Sequence, residues 1–351
     1  MSGWLEKQRA PRVLLVGFSE RYKYFGQMFY ATFQIMRNGF IRAGASAFLF
    51  SDRDNADFAA PFAIRQIGKA AANRNLIKLV DLLSPDAICL MHCDLIQSQT
   101  VEEIRRRNPK VRIFSYFIDP LGRPEHRQRF ERYVAISDVS FATTAGSTLA
   151  QSRRLGSVGF MPNPVDFSIF HARAFDQPDS RHDFFFAGKP KGRDALLHVL
   201  EEKLPNRSHG YYLRRSSRGM LAISGAHYLD TLSQSKIAIN AEMMKSPYLY
   251  SSDRIAQYFS AGCLVAQPAA AAMDDLYGRD TMLIYDGVDD LAEKSEALLS
   301  SDQWRDIARH GQDRAKAVSD SEIVAHYMLD RCFEQQTREW PSWSSEFYAR
   351  E

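Results

Sequence analysis

The sequence predicts an α/β fold made of two doubly wound units, each built on a parallel sheet. Its 351 residues are enough for two domains of ordinary size. Short apolar runs typical of strands alternate with longer segments of helical period, which is the pattern of βαβ units. The alternation stops once, at a segment with two prolines (residues 162–166), and then starts again. Two such units that face each other would hold a ligand in a cleft at the carboxyl ends of their strands.

The first unit (residues 1–160) is predicted from five apolar runs, each followed by a segment whose apolar residues have helical spacing. The expected strands are 12–17, 47–50, 86–92, 111–117 and 139–143. The expected helices are 25–43, 70–83, 100–107, 125–135 and 147–155. Pro85 ends the second of these helices. A solvated loop is expected directly after the strand 47–50, before the helix 70–83.

A linker (residues 161–182) precedes the second unit (residues 183–320), because its prolines stiffen the backbone and a polar stretch follows them. The expected strands of the second unit are 183–187, 236–240, 263–267 and 282–285, with one more that begins at His209. The expected helices are 192–204, 253–261, 289–299 and 303–317, and a last helix covers 322–336. The second unit therefore repeats the architecture of the first.

Composition excludes several classes of protein. The 45 basic and 42 acidic residues give a net charge of +3, too small for a strongly basic nucleic-acid binder, and 45% hydrophobic content excludes general disorder. Four cysteines cannot form a disulfide scaffold, and no apolar run reaches the roughly 20 residues of a membrane helix. We expect a cytoplasmic protein. Residues 1–166 carry 23 basic and 15 acidic side chains. This excess fits contact with the inner face of an acidic membrane, contact with an anionic substrate, or solvated helix faces.

The first motif is a glycine-containing basic loop at residues 184–193, between a predicted strand and a predicted helix. Glycines such as Gly188 let the backbone approach a phosphate, and a helix start supplies free N–H groups. Lys189, Lys191 and Arg193 add positive charge. The spacing is neither that of a Walker loop nor that of a dinucleotide fingerprint. The motif fits a diphosphate site and an ordinary strand-to-helix turn about equally well.

The second motif is a polar segment that leads into a predicted helix (residues 246–257). Hydroxyls, amide N–H groups and an arginine in a first helical turn can hold a ribose and a diphosphate. The alternative is an ordinary capped helix in which Arg254 forms an ion pair with Asp253 or another acidic residue. The residues in question are Tyr250, Ser251, Ser252, Asp253, Arg254 and Gln257.

These segments together resemble the carboxyl-terminal half of glycosyltransferases with the GT-B fold, in particular the bacterial CgeB-like, family 1-type group. The similarity rests on the order and spacing of several short elements across roughly 160–335. They are the Pro-Asn-Pro-Val-Asp segment, Phe186-x-Gly188, Tyr228-Leu-Asp-x-Leu before Asn240, Ser251-Ser-Asp-Arg254, Ser260-Ala-Gly262, Tyr285-Asp and Ile307-Ala-Arg-His-Gly311. The resemblance implies two Rossmann-like domains facing across a cleft, with the last helix and tail (321–351) returning to the first domain.

The resemblance also implies a nucleotide-sugar donor in the second domain and a glycan, lipid-linked or protein acceptor in the first. Metal-independent transfer is expected, with Lys189, Arg193 and Arg254 stabilising the departing nucleoside diphosphate. His209 and Tyr211 would lie near the base, although core packing explains them equally well. The family usually has a glutamate at the position of Gln257, so an ionic role there is in doubt.

An inverting transferase needs a general base on the acceptor side, and the first unit offers four candidates. Asp119 ends a buried strand, Glu20 follows the first strand, and His92 and Asp94 follow the third. A turn residue before Pro120 is the other interpretation of Asp119. A nucleotide-sugar epimerase, a phosphorylase of the same fold and a non-catalytic nucleotide-sugar-binding protein are the alternative functions.

Two short motifs in the sequence resemble metal sites, but we expect neither to bind a metal ion. The Asp-x-Asp triplet at 52–54 is expected to be a solvated loop, because such triplets are common by chance. Cys89, His92 and Cys93 lack a second ligand pair, and the cysteines suit a buried strand. No metal site is expected.

Overall fold

The computed structural model describes residues 9–18, 27–60, 64–190, 192–213, 222–241 and 247–351. The chain divides into two compact units. The first contains residues 1–161 and 321–351, and the second contains residues 162–320.

Both units consist of short strands connected mainly by helices. The strands are β1 Arg12–Gly17, β2 Ser46–Ser51, β3 Ala87–Met91, β4 Arg112–Phe117, β5 Val139–Ala142, β6 Ser157–Phe160, β7 His182–Gly188, β8 His209–Leu213, β9 Ser235–Ile239, β10 Leu264–Pro268, β11 Leu283–Tyr285 and β12 Phe347–Tyr348. The α-helices are α1 Thr32–Arg42, α2 Asp52–Ala59, α3 Arg65–Leu83, α4 Ser98–Arg107, α5 Pro124–Ile136, α6 Ser147–Ala150, α7 Arg193–Lys203, α8 Ala226–Ser233, α9 Arg254–Ala261, α10 Asp274–Tyr277, α11 Gly287–Ser300, α12 Trp304–Ser319 and α13 Ser321–Cys332.

The sheet of the first unit has the strand order β12-β6-β5-β4-β3-β1-β2 and is parallel except for β12. The order reverses at β1, since β2 lies on one side of it and β3 on the other. Right-handed crossovers therefore put α1 on one face of the sheet and α2 and α3 on the opposite face. The residues that follow β3 and β4 lie at the carboxyl edge, which is where doubly wound sheets bind ligands.

The segment after β2 is a helix, so the expectation of a solvated loop at residues 52–54 was wrong. Ser51 caps α2 by accepting a hydrogen bond from the Asp54 backbone N–H at 3.2 Å. Asp52, the first residue of α2, is fully buried. Gly68 of α3 packs directly on the backbone of Ala56, a contact that leaves no room for a Cβ atom. The two helices thus form a close pair on one face of the sheet.

The carboxyl-terminal segment is an integral part of the first unit. Helix α13 packs on α1, where Gly39 lies against the Ser321 carbonyl in a contact that leaves no room for a Cβ atom. Farther along, Trp343 packs edge-on against Tyr327 of α13, with ring centroids 4.8 Å apart. The last strand, β12, then pairs antiparallel with β6. The tail therefore adds a seventh strand to this sheet.

The second unit has a five-stranded sheet, and all of its described pairings are parallel, in the order β11-β10-β9-β7-β8. Its core includes Phe184 and Phe186 of β7, Ile237 of β9, Leu264 of β10 and Trp304 of α12. Alternation along β7 puts Phe184 and Phe186 on one face, and burial of both faces explains the continuous phenylalanine run. The carboxyl ends of β7, β9 and β10 bring Gly188, Asn240 and the segment after Gln267 to one edge.

Candidate active site

Asn240, directly after β9, lies at the centre of a buried hydrogen-bond network in the second unit. Its side-chain amide donates to Ser251 Oγ at 2.8 Å and to Gln267 Oε1 at 2.7 Å. Its backbone N–H donates to the Ala266 carbonyl at 2.8 Å. The network joins the ends of β9 and β10 to the segment before α9. It therefore fixes the backbone that leads into the second sequence motif.

The linker contributes to the same network. Asn163, in the segment with two prolines, donates from Nδ2 to the Ser251 carbonyl at 2.9 Å. Val165 donates its N–H to the Ser319 carbonyl at 2.8 Å, so this segment is held along its length. Ser251 is consequently bonded through its carbonyl and its hydroxyl, and it is fully buried. Asn163 belongs to the Pro-Asn-Pro segment, one of the elements on which the family resemblance rests. In the structure its side chain donates a hydrogen bond to Ser251.

Arg254, the first residue of α9, extends over the carboxyl end of β7. Its guanidinium lies 5.1 Å from the ring centroid of Phe186, and its Nη2 lies 3.4 Å from Asn240 Oδ1. A Cβ atom at Gly188 would lie 3.6 Å from Nη1 of the same guanidinium. Burial raises the pKa of Tyr258, one turn further along α9, to about 12, and the charge of Arg254 opposes that rise. Arg254 is thus positioned by an aromatic face, an amide and a glycine.

Arg193 brings a second guanidinium to the same edge. Gly192 has a left-handed backbone (φ 85°) and directly precedes α7, so the chain turns sharply after the basic loop. Arg193 Nε then donates to the Ala241 carbonyl at 2.6 Å, and Nη1 donates to the Lys189 carbonyl at 3.3 Å. Lys189 itself is exposed. The two sequence motifs, more than fifty residues apart in the chain, therefore meet at the residues that follow β9.

The remaining residues of the second motif lie around this centre. Ser252 Oγ donates to Asn240 Oδ1 at 3.4 Å and accepts from the Arg254 N–H at 3.4 Å. Asp253 directly precedes α9. Tyr250 and Gln257 are both buried in the second unit.

The Nε2 atom of Gln267 is a buried amide donor with no hydrogen-bond partner among the described residues. Sequence reasoning missed Gln267, because nothing in its strand context distinguishes it from an ordinary core position.

His209 and Tyr211 are not brought to this centre. His209 pairs in register with Phe184 at the beginning of β7, whereas the arginines lie beyond Gly188 at its other end. At about 3.3 Å per residue, four residues separate the two ends of the strand by about 13 Å. The His209 ring instead stacks on Phe184 and contacts the Tyr211 hydroxyl at 2.8 Å. These two side chains are therefore packed in the structure as core residues, which the sequence analysis gave as the alternative to a place near the base.

The first unit has its own polar cluster at the carboxyl ends of β3 and β4. Arg129 of α5 donates to both Asp94 oxygens at 3.0 and 3.1 Å and to Asp119 Oδ2 at 3.3 Å. His92 Nδ1 lies 3.9 Å from the same Asp119 oxygen. The His92 ring stacks on Phe117 with centroids 4.9 Å apart. The structure therefore brings together His92, Asp94 and Asp119, three residues identified in the sequence, and adds Arg129, which the sequence did not suggest.

Burial dominates the electrostatics of this cluster. Desolvation lowers the pKa of His92, with Asp119 acting in the opposite direction and Arg129 in the same direction. His92 also has a left-handed backbone (φ 46°), a conformation uncommon for a residue with a side chain. Nearby, burial raises the pKa of Asp52 to about 6, although the Leu95 N–H donates to one of its oxygens at 3.1 Å. Asp52 Oδ1 is buried without a hydrogen-bond partner among the described residues.

Some sequence candidates lie outside the described residues, namely Glu20, Lys191 and Ser246. Within the described ranges, no group of three or more His, Cys, Asp or Glu side chains is arranged to hold a metal ion. Burial raises the pKa of Cys89, and Cys93 is buried as well, as expected for core cysteines. Among the helices of the described ranges, none combines the length and the hydropathy of a membrane-spanning segment.

A family model matches part of the chain. Residues 193–330 match the model of a family described as glycosyl transferase-like. No curated protein matches the sequence.

Solved structures match over nearly the whole chain at low identity. Sucrose-phosphate synthase from Thermosynechococcus elongatus is 12% identical, with a TM-score of 0.60, covering 91% of this chain and 97% of that one. An E. coli structure described as trehalose-6-phosphate bound with UDP-2-fluoro glucose is 11% identical, with a TM-score of 0.61 and coverages of 93% and 100%. HepE of Anabaena in complex with UDP and glucose is 11% identical, with a TM-score of 0.57 and coverages of 92% and 99%. The family match therefore concerns residues 193–330, and the chain shares with these structures a fold of two α/β units.

Proposed function

We propose that this chain transfers a sugar from a nucleotide-sugar donor, and that the second unit binds the donor around Asn240. The observation that carries the proposal is the convergence of Arg193 and Arg254, both at helix starts, on the residues after β9. Helix starts and guanidinium groups are suited to bind a diphosphate. Two of the similar structures are described with UDP or a UDP-sugar, which supports the same class of donor.

In this proposal the cationic groups assist the departure of the nucleoside diphosphate. Negative charge grows on the diphosphate as the bond to the anomeric carbon breaks, and donors fixed in advance stabilise that charge without reorganisation. Arg254 and Arg193 supply guanidinium groups, exposed Lys189 supplies an ammonium group, and Gly188 lets the backbone approach closely. We propose that Asn240, Tyr250, Ser251, Ser252, Asp253 and Gln257 orient the donor. His209 is left out because it lies at the other end of the strands, and Tyr211 is left out because its side chain is buried in the core and bonds to His209.

We further propose that transfer needs no metal ion, since these cations take the place of a divalent ion on the diphosphate. The expected result is equal turnover in the presence of EDTA and in the presence of added Mg²⁺ or Mn²⁺. A loss of turnover with EDTA that either metal restores would contradict this part of the proposal.

The acceptor is proposed to bind to the first unit, with Asp119 as the general base of an inverting transfer. Asp119 is about one-third exposed, and Arg129 contacts only its Oδ2 atom, so Oδ1 has no partner among the described residues. Burial lowers the pKa of His92, and its ring stacks on Phe117 with Nδ1 3.9 Å from Asp119 Oδ2, so we propose that it positions Asp119. Glu20 is a second candidate for the base. The acceptor class is a glycan, a lipid-linked glycan or a protein, and the proposed location is the cytoplasm, at the inner face of the membrane.

The narrower resemblance to the CgeB-like group also belongs to the proposal. It rests on the sequence elements of the second unit, and the geometry gives three of them, Asn163, Asn240 and Arg254, a place in one network. No feature of the described site favours an epimerase, a phosphorylase or a non-catalytic binding protein.

A thermal-shift panel with UDP, GDP, dTDP, CDP and ADP tests the donor site. A ligand that binds only the native state raises the melting temperature, so at least one nucleotide should do so. Arg254→Ala should abolish that shift, whereas Arg279→Ala should leave it unchanged, because Arg279 is highly exposed and pairs with Asp274. No shift with any nucleotide, or equal shifts in both variants, would contradict the proposal.

A further inference from the structure

One surface of the first unit combines exposed apolar side chains with basic ones. Phe58 at the end of α2 is 92% exposed, and Ile64 and Ile67 at the start of α3 are 48% and 60% exposed. Large apolar side chains this exposed and this close in sequence are unusual on a soluble surface. They lie on the face of the sheet opposite to α1. We call the set Phe58, Ile64, Ile67, Arg74 and Lys78 the α3 face.

The contacts between α2 and α3 hold the apolar members of the α3 face at one end of the helix pair. Arg65 donates to both oxygens of Asp57, at 2.9 and 2.6 Å, and so joins the last turn of α2 to the first turn of α3. Gly68 packs on the backbone of Ala56 one turn away. Phe58 directly follows Asp57, and Ile64 directly precedes Arg65. The apolar side chains therefore share one end of a fixed helix pair.

The basic members continue the same face along α3. Arg74 and Lys78 are seven and eleven residues from Ile67, which puts all three on one side of the helix. Both basic side chains are exposed, and neither pairs with an acidic side chain in the described part of the chain. Asp81, further along α3, is already paired with Arg107 of α4 at 2.9 Å. Leu82, four residues after Lys78, is 85% exposed. The surface of α3 therefore carries apolar side chains at both ends and positive charge between them.

We infer that the α3 face docks the first unit on an anionic lipid surface. Exposed apolar side chains beside Lys and Arg on one helix face are the features of interfacial helices, which insert the apolar groups and attract acidic headgroups. The positive charge of Arg74 and Lys78 beside these apolar groups complements acidic headgroups, which is the reason for choosing a lipid surface over a protein partner. This inference deepens the membrane contact proposed above by naming the surface that makes it.

Co-sedimentation with vesicles tests the inference. The wild-type chain should bind vesicles of phosphatidylcholine and phosphatidylglycerol (3:1) and should not bind phosphatidylcholine alone. Phe58→Ser/Ile67→Ser and Arg74→Gln/Lys78→Gln should each lower the partition coefficient at least about tenfold. High salt should weaken wild-type binding, because it screens the headgroup attraction. Ile41→Ser is the matched control, since Ile41 is 45% exposed on α1, on the opposite face of the sheet.

Three results would overturn the inference: no preference for the anionic vesicles, equal binding by the α3-face variants, or an equal loss with Ile41→Ser. A shift from dimer to monomer in the α3-face variants, measured by light scattering, would show instead that a second copy covers this surface. Nucleotide thermal shifts on the same preparations separate this inference from the proposed function. A variant that loses vesicle binding and keeps the nucleotide-induced rise in melting temperature has lost only the function of the α3 face, and the donor site is intact.

Discussion

Asn240 and Ser251 are joined by a 2.8 Å hydrogen bond that connects the end of β9 to the segment before α9. Eleven residues of chain separate them, and both side chains are fully buried. The bond fixes where α9 begins and hence where the Arg254 guanidinium lies. A buried amide thus joins the segment that carries Arg254 to the end of β9.

Asn240→Ala should destabilise the chain. The substitution removes the donor to Ser251 and to Gln267, and it leaves buried acceptors without partners, which costs roughly 1–3 kcal/mol for each group. We expect the free energy of unfolding in urea to fall by about 2–4 kcal/mol. Asn206→Ala is the control, because Asn206 is exposed. Equal stability of the two variants would show that the network contributes nothing to folding.

Asp119→Asn should lower turnover and leave donor binding intact. Loss of a general base typically reduces the rate about 10²–10⁴-fold, whereas Asp119 lies outside the unit proposed to bind the nucleotide. The measurements are kcat with a competent acceptor and the nucleotide thermal shift on the same sample. Asp306→Asn serves as control, because Asp306 is an exposed residue that pairs with Arg309 at 2.7 Å. Unchanged kcat in Asp119→Asn would leave Glu20 as the candidate base.

Asp52 should make the chain less stable as the pH rises from about 4 to 6. Burial raises the pKa of Asp52 from 3.8 to about 6, so the folded chain keeps this proton over a range where the unfolded chain has lost it. The folded state therefore binds more protons, and the free energy of unfolding falls through this window, by about 3 kcal/mol at most from this group.

Asp52→Asn removes that titration and keeps an oxygen that can accept from the Leu95 N–H. The difference in unfolding free energy, variant minus wild type, should be smaller at pH 4 than at pH 7 and should grow between them. A difference that does not vary with pH would contradict the burial of an ionisable carboxyl at this position.

Gly39→Ala should weaken the contact between α1 and α13. A Cβ atom at Gly39 would collide with the Ser321 backbone, and the two helices would have to move apart. Overpacking of this kind typically costs about 1–3 kcal/mol. Gln34→Ala, on the same helix, is the control and should change stability by less than about 0.5 kcal/mol. Urea denaturation measures both, and equal midpoints would show that the helices can separate at no cost.

Much of the fold was predictable, because the strands are apolar runs separated by helical periodicity. The prediction of two doubly wound α/β units is confirmed by the parallel sheets and by the structural matches. Helix α2 was missed, since the Asp- and Asn-rich segment after β2 has the composition of a loop. A signal was present nevertheless: Ser51 followed three residues later by Asp54 is a helix-capping pattern.

The site was predictable in composition but not in arrangement. Both motifs of the second unit were visible in the sequence, whereas their meeting at Ala241 and Asn240 depends on which strands are neighbours. Placing His209 requires the strand register, which periodicity does not provide. Arg129 was missed because an arginine on a surface helix gives no sign that the fold will put it between two aspartates.

A crystal structure of the chain grown with UDP or another stabilising nucleoside diphosphate tests the central claim most directly. The account predicts diphosphate density at the carboxyl edge of the second sheet, with phosphate oxygens within hydrogen-bond distance of Arg193 and Arg254. Density at another place in the chain, or none at a saturating concentration of a nucleotide that raises the melting temperature, would contradict it.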